Sequence, residues 1–129
     1  MFLRFTIGRV DEDSHRSQGL FVAAYELLDS GNLNSDEWKR IREILDWFNQ
    51  HLPHPPEEFS KGRAIFWFRS KRPKAQECIN RTWELVHLMR EHGHHVKVHK
   101  CRALGNICYR DELQVAAYPS SGDSRIVVT

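Results

Sequence analysis

Ala64-Ile65-Phe66-Trp67-Phe68 is the stretch on which the fold turns. It is apolar at both odd and even positions, as expected of an interior strand covered on both sides, or carrying a ligand on one. The ring of Trp67 is therefore expected in the dry interior between a helical layer and a pleated one. Lys61-Gly62-Arg63 precedes the stretch and Arg69-Ser70-Lys71-Arg72-Pro73-Lys74 follows it. Pro73 suits the first turn of a helix, and Ala75, Cys78, Ile79, Thr82, Val86 and Met89 then trace one face, with Trp83 and Leu85 at its margins, until Gly93. From His94 to Lys100 the chain alternates around Val96 and Val98, which puts His95, Lys97, His99 and Cys101 on the opposite side. Strand, helix and strand in this order predict a right-handed crossover joining two parallel neighbours.

Upstream, Phe2 to Gly8 alternates, with Leu3, Phe5 and Ile7 on one face, and reads as a strand. An acidic loop, Asp11-Glu12-Asp13-Ser14, leads to Leu20, Phe21, Ala24, Leu27 and Leu28 at helical spacing, with Ser14 or Ser17 as the cap and Gly31 as the stop. Asn34 and Glu37 have the spacing of a capping box, and Trp38, Ile41, Leu45, Phe48 and Leu52 step along a second helix that ends before Pro53. Three prolines in residues 51–58 make a stiff connector. Downstream, Asn106–Tyr109 and Leu113–Tyr118 flank Arg110-Asp111-Glu112 as a hairpin, and a meander is expected from Val96 onward. Ile126–Val128 offers a short edge strand in an otherwise loose tail. The order is β-α-α-β-α-β-β-β. This predicts an α+β protein: a single two-layer domain over residues 1–119 with a mixed sheet of about five strands, three helices mainly on one face, and a loosely ordered tail over 120–129.

A chain of 129 residues with 40% hydrophobic side chains fits one folded domain. No apolar run approaches the roughly 18 residues a membrane span needs. Arg4 within the first apolar segment and the acids at 11–13 are wrong for a signal peptide. Three cysteines without a CxxC pair argue against a disulfide framework or a four-thiolate zinc site, so a cytoplasmic location is expected. Charge is unevenly spread: residues 1–60 carry 11 acids and 6 bases, residues 61–129 carry 13 bases and 6 acids. This polarity permits an anionic partner on the second half or head-to-tail self-association.

Asp11-x-Asp13-Ser14, Gly19-Leu20-Phe21-x-Ala23-Ala24, Leu45-Asp46-Trp47-Phe48, Lys61-Gly62-x-Ala64 with Trp67-Phe68, and Asp111-Glu112-x-Gln114-Val115 together span nearly the whole chain. In these motifs it resembles a family of short bacterial proteins of unknown function. It differs from that group in its histidines at 87, 92, 94, 95 and 99 and in Arg102-Ala103-Leu104-Gly105-Asn106. The resemblance implies a fold and a bacterial origin, and no activity or cofactor.

Chemistry has to come from the side chains. Lys61, Arg63, Arg69, Lys71, Arg72 and Lys74 are six cations with no acid between them, interleaved with Phe66, Trp67 and Phe68, a pairing that single-stranded nucleic acid uses for phosphates and bases. Lys61, Gly62, Ala64 and Phe68 match part of the RNA-recognition sheet signature, whereas Arg63 and Ile65 stand where it requires aromatics. The same cations precede a helix N-terminus, which favours an anion. His95, His99 and Cys101 are candidate ligands for a divalent transition metal. His95 and His99 lie about 13 Å apart along a strand and His99 and Cys101 about 6.6 Å, so one ion would need a further ligand from elsewhere. Asp11, Glu12 and Asp13 with Asp111 and Glu112 are the carboxylates that could gather around a hard cation, although nothing in their spacing demands it and an acidic loop before a helix suits the helix N-terminus. Three readings follow. The first is a small non-catalytic binding or interaction protein with no cofactor, using the basic surface at 61–74 and 97–102 for an anionic or protein partner. The second is a metal-assisted enzyme or metal-binding protein built on residues 92–101, with His99, Cys101 and a carboxylate. The third is a binder of single-stranded nucleic acid.

Overall fold

The computed structural model describes residues 1–10, 17–55, 64–118 and 125–128. Its elements run β1 (Phe2–Val10), β2 (Ser17–Gly19), α1 (Leu20–Asp29), α2 (Ser35–His51), β3 (Ile65–Arg69), α3 (Pro73–Glu91), β4 (Val96–Cys101), β5 (Ile107–Arg110), β6 (Gln114–Ala117) and β7 (Arg125–Val128). The five predicted strands and three helices are present in the predicted order. The short β2 and the edge strand β7 join the same sheet, whose order is β5-β6-β3-β1-β4-β7 with β2 beside β1.

The sheet is antiparallel throughout, which corrects the expected mixed sheet. The crossover through α3 exists, but β1 lies between its two strands and pairs antiparallel with both, Phe2↔Arg69 and Leu3↔Phe68 on one side, Phe2↔Cys101 through Ile7↔Val96 on the other. Strands β3 and β4 therefore point the same way without touching, a split β-α-β arrangement. Leu3, Phe5 and Ile7 supply an apolar row that fills the slot between Phe68 and the valines of β4. Period-two alternation cannot reveal this, because it reports a strand's faces and not its neighbours.

The expected meander from β4 is also corrected. The β5–β6 hairpin pairs with β3, with Trp67 opposite Val115, while the outer edge of β4 is taken by β7, with Val98 opposite Val128. The loose tail thus contributes an edge strand.

Helix ends follow local chemistry. Asn34 and Glu37 form the capping box: Glu37 N–H donates to Asn34 Oδ1 at 2.8 Å and Asn34 N–H to Glu37 Oε1 at 3.1 Å. Pro73 occupies the first turn of α3, and Gly31 and Gly93 take positive φ beyond α1 and α3, where a side chain would be strained. The cap expected at Ser17 is not there: Ser17 pairs with Val10 in β2, and α1 starts after Gly19 with no side-chain cap. Ser14 and the acids at 11–13 lie outside the described residues. Trp38, expected on the buried face of α2, is 43% exposed, and Ile44 is buried with Ile41, Leu45 and Phe48 instead.

The three described helices cover one face, where Phe5, Ile7, Phe68, Val96 and Val98 meet the apolar sides of α1, α2 and α3 in the main core. Trp67 is dry at 2% exposure, but on the opposite face. There, among the described residues, it clusters with Ile65, Cys101 and Val115 against Phe2, Leu104 and Ile107 rather than with a helix.

Candidate functional site

The register brings two basic segments to one end of the sheet. Arg69, Phe2 and Cys101 lie in a row across β3, β1 and β4, so Lys71 and Arg72 leave one side of the start of β1 while Lys100 and Arg102 flank Cys101 on the other. Lys71, Arg72, Lys74, Lys100 and Arg102 are exposed. Ser70 ties the corner together, its N–H and Oγ both donating to Met1 O at 3.1 and 2.8 Å. A hollow of about 360 Å³ lies here, lined by Met1, Phe2, Arg69, Lys71 and Arg72. The first turn of α3 opens beside it with no acid and no side-chain cap, so its backbone dipole adds to the positive field.

The sequence treats the six cations alike, and the structure does not. Arg69 donates from Nη1 to Asp111 O at 2.7 Å, which pins the β5–β6 turn to β3. That turn needs no glycine, because Asp111 Oδ1 accepts from Leu113 N–H and Gln114 N–H at 2.8 and 2.9 Å. Lys61 and Arg63 lie outside the described residues. Of the interleaved rings, Trp67 and Phe68 are buried and Phe66 is half-buried against Tyr109. Stacking on bases requires open ring faces, and the two buried rings present none.

His95, His99 and Cys101 are not gathered around a common point. His95 is exposed. His99 Nε2 shares a hydrogen bond of 2.8 Å with the buried Thr6 hydroxyl, and the Cys101 thiol donates to Ala103 O at 2.9 Å. Among the described residues no three His, Cys, Asp or Glu side chains form a group able to hold an ion. Burial, helped by the charge of Glu77, pushes the Cys78 thiol up to about 11, away from a nucleophile's range.

A second concavity has no counterpart in the sequence reading. The β1–β3 ladder has two register pairs, and beyond them Arg4 and Phe5 on one strand and Trp67, Phe66 and Ile65 on the other border a cleft of about 540 Å³. The start of α1 and the end of α2 complete it with Phe21, Tyr25, Phe48 and Asn49. At its rim Asn49 Nδ2 donates to the Tyr25 hydroxyl at 3.0 Å. Deeper, Gln114 Nε2 donates to Pro53 O at 3.1 Å and approaches Asp111 Oδ2 at 3.4 Å. The signal that could have exposed this cleft is Phe66, an aromatic strand residue facing the helices beside Phe68, but which strand stands opposite it is a matter of topology.

Against protein-family models, curated proteins and solved structures, the chain gives no match. Among the described residues no helix is long and apolar enough to cross a membrane.

Proposed function

We propose that this is a small binding protein, without catalysis of its own, that takes an anionic partner on the basic end of its sheet. The observation that carries this reading is the convergence of Lys71 and Arg72 with Lys100 and Arg102 on either side of Phe2, beside the open first turn of α3. Cations from segments some thirty residues apart reinforce one another when placed within a Debye length of about 10 Å, and a helix N-terminus supplies N–H groups for an oxyanion. Arg69 acts as the corner's brace rather than as a contact.

Inorganic phosphate and a short oligothymidylate are suitable probes, followed by amide NMR shifts at low and high salt. The reading expects saturable shifts at residues 70–75 and 100–102 that weaken as salt rises. Lys71→Glu with Arg72→Glu should abolish them while leaving the circular dichroism spectrum unchanged. Binding that survives this double charge reversal would refute the proposal.

A further inference from the structure

We infer, resting on the reading just proposed, that the anionic partner of the basic end is single-stranded nucleic acid, with one unstacked base held in the hollow beside Phe2 and the phosphates carried along the ends of β3, β1, β4 and β7. The basic positions form a line. Across the sheet the register runs Arg69, Phe2, Cys101 and Arg125, so it spans three strand spacings, about 14 Å. Lys71 and Arg72 extend the line from β3, while Lys100 and Arg102 border it at β4, and these side chains are exposed. An array of this length outreaches a single phosphate group and suits a chain of them.

The hollow decides between a nucleic acid and an acidic protein. Its volume of about 360 Å³ lies within the range of small-molecule sites, and Met1 and Phe2 share its lining with Arg69, Lys71 and Arg72. Phe2 is half-buried and packs on the cluster of Ile65, Trp67, Cys101 and Val115, which steadies its ring as a platform. A nucleotide joins a flat π surface to a phosphate, and an aromatic ring and cations meet here in one concavity to receive both parts. Aspartate and glutamate carry the charge but have no flat surface to lay on Phe2. A guanidinium plane such as that of Arg72 stacks on bases as well. Bases in a duplex stay stacked on one another, so a strand whose bases are free fits this hollow and a double helix does not.

A short oligothymidylate and an abasic strand of the same length, which keeps the phosphates and lacks the bases, test this in amide NMR titrations of the full chain. Both should weaken alike as salt rises, and the thymidylate should bind at least about fivefold more tightly, the gain expected from stacking one base. Phe2→Leu should lower the thymidylate to the level of the abasic strand and leave the abasic strand unchanged. Should that variant fail to fold, the two strands on the unaltered protein still decide. Equal binding of the two strands, or a preference that survives Phe2→Leu, would overturn the inference and leave the anionic site standing. Binding of neither strand, nor of inorganic phosphate, would overturn both readings. A glutamate peptide of equal charge, or the thymidylate paired in a duplex, binding as tightly as the free thymidylate would also overturn the inference.

Discussion

On the face beneath the helices, Phe5, Ile7, Phe68, Val96 and Val98 meet side chains from α1, α2 and α3, whereas on the opposite face Ile65, Trp67, Cys101 and Val115 are buried against Phe2, Leu104 and Ile107. The first core is redundant, since losing one side chain leaves many apolar neighbours to close the gap. Among the described residues the second is smaller and centred on a single indole. Beyond it the same face turns polar, with the buried Thr6 hydroxyl meeting His99. The two faces therefore differ in how much each residue matters, and that difference can be measured.

Trp67→Ala should produce the largest loss, about 3–5 kcal/mol, because the cavity cannot collapse onto the few remaining apolar atoms. Leu85→Ala, in the fully buried stripe of α3, should fall toward the lower part of the about 2–5 kcal/mol range for such truncations, its surroundings being able to relax. Urea unfolding of both variants checks the ranking. A Trp67 variant less damaged than the Leu85 one would mean that the face away from the described helices contributes little.

A smaller contrast concerns two buried hydroxyls. Thr6 Oγ1 bonds to His99 Nε2 at 2.8 Å across two strands, while Thr82 Oγ1 donates to Cys78 O at 2.8 Å one turn back on α3. Thr6→Val leaves a ring nitrogen buried without that partner and should cost about 1–3 kcal/mol. Thr82→Val removes a donor from a carbonyl still served by the helix ladder, and should cost less than about 1 kcal/mol. Equal costs in thermal unfolding would show that the Thr6–His99 bond contributes no more to the fold than a local back-bond.

This asymmetry explains what could be read from the sequence. Helix stripes were legible because periodicity reports burial directly: Ala75, Cys78, Ile79, Thr82, Val86 and Met89 are all buried. The Asn34–Glu37 box and the turn at Asp111 were legible because they close within three residues. Trp67 was correctly expected to be dry, yet on the wrong side, since an all-apolar strand does not say which of its faces the helices cover. The slot taken by β1, the docking of β6 on β3 and the cleft beside Phe66 depend on partners sixty or more residues away for β1 and about fifty for β6. The basic end was legible as composition, but the separate role of Arg69 was not, because it depends on where the Asp111 carbonyl lies.

The thiols offer the finest comparison, since one sits under each face and the third is half-buried on β5. Cys78 is held protonated by burial, with its thiol pushed up to about 11 from 9.0. Under native conditions at neutral pH, iodoacetamide should modify Cys108 first and Cys101 next, as the smaller cluster opens by local fluctuation, and Cys78 last. Mass spectrometry of timed samples gives the order. The raised thiol also sets a sign: the folded state holds this proton more tightly than the unfolded chain, so the stabilisation is complete below pH 9 and is lost as pH climbs toward 11. Tyr109, raised by burial and by its bond to Asp111, acts in the same direction. Replacing Cys78 by Ala should flatten part of that alkaline decline while costing packing at every pH. If Cys78 reacts as fast as Cys101, both faces open together and the contrast between a redundant core and a solitary indole fails.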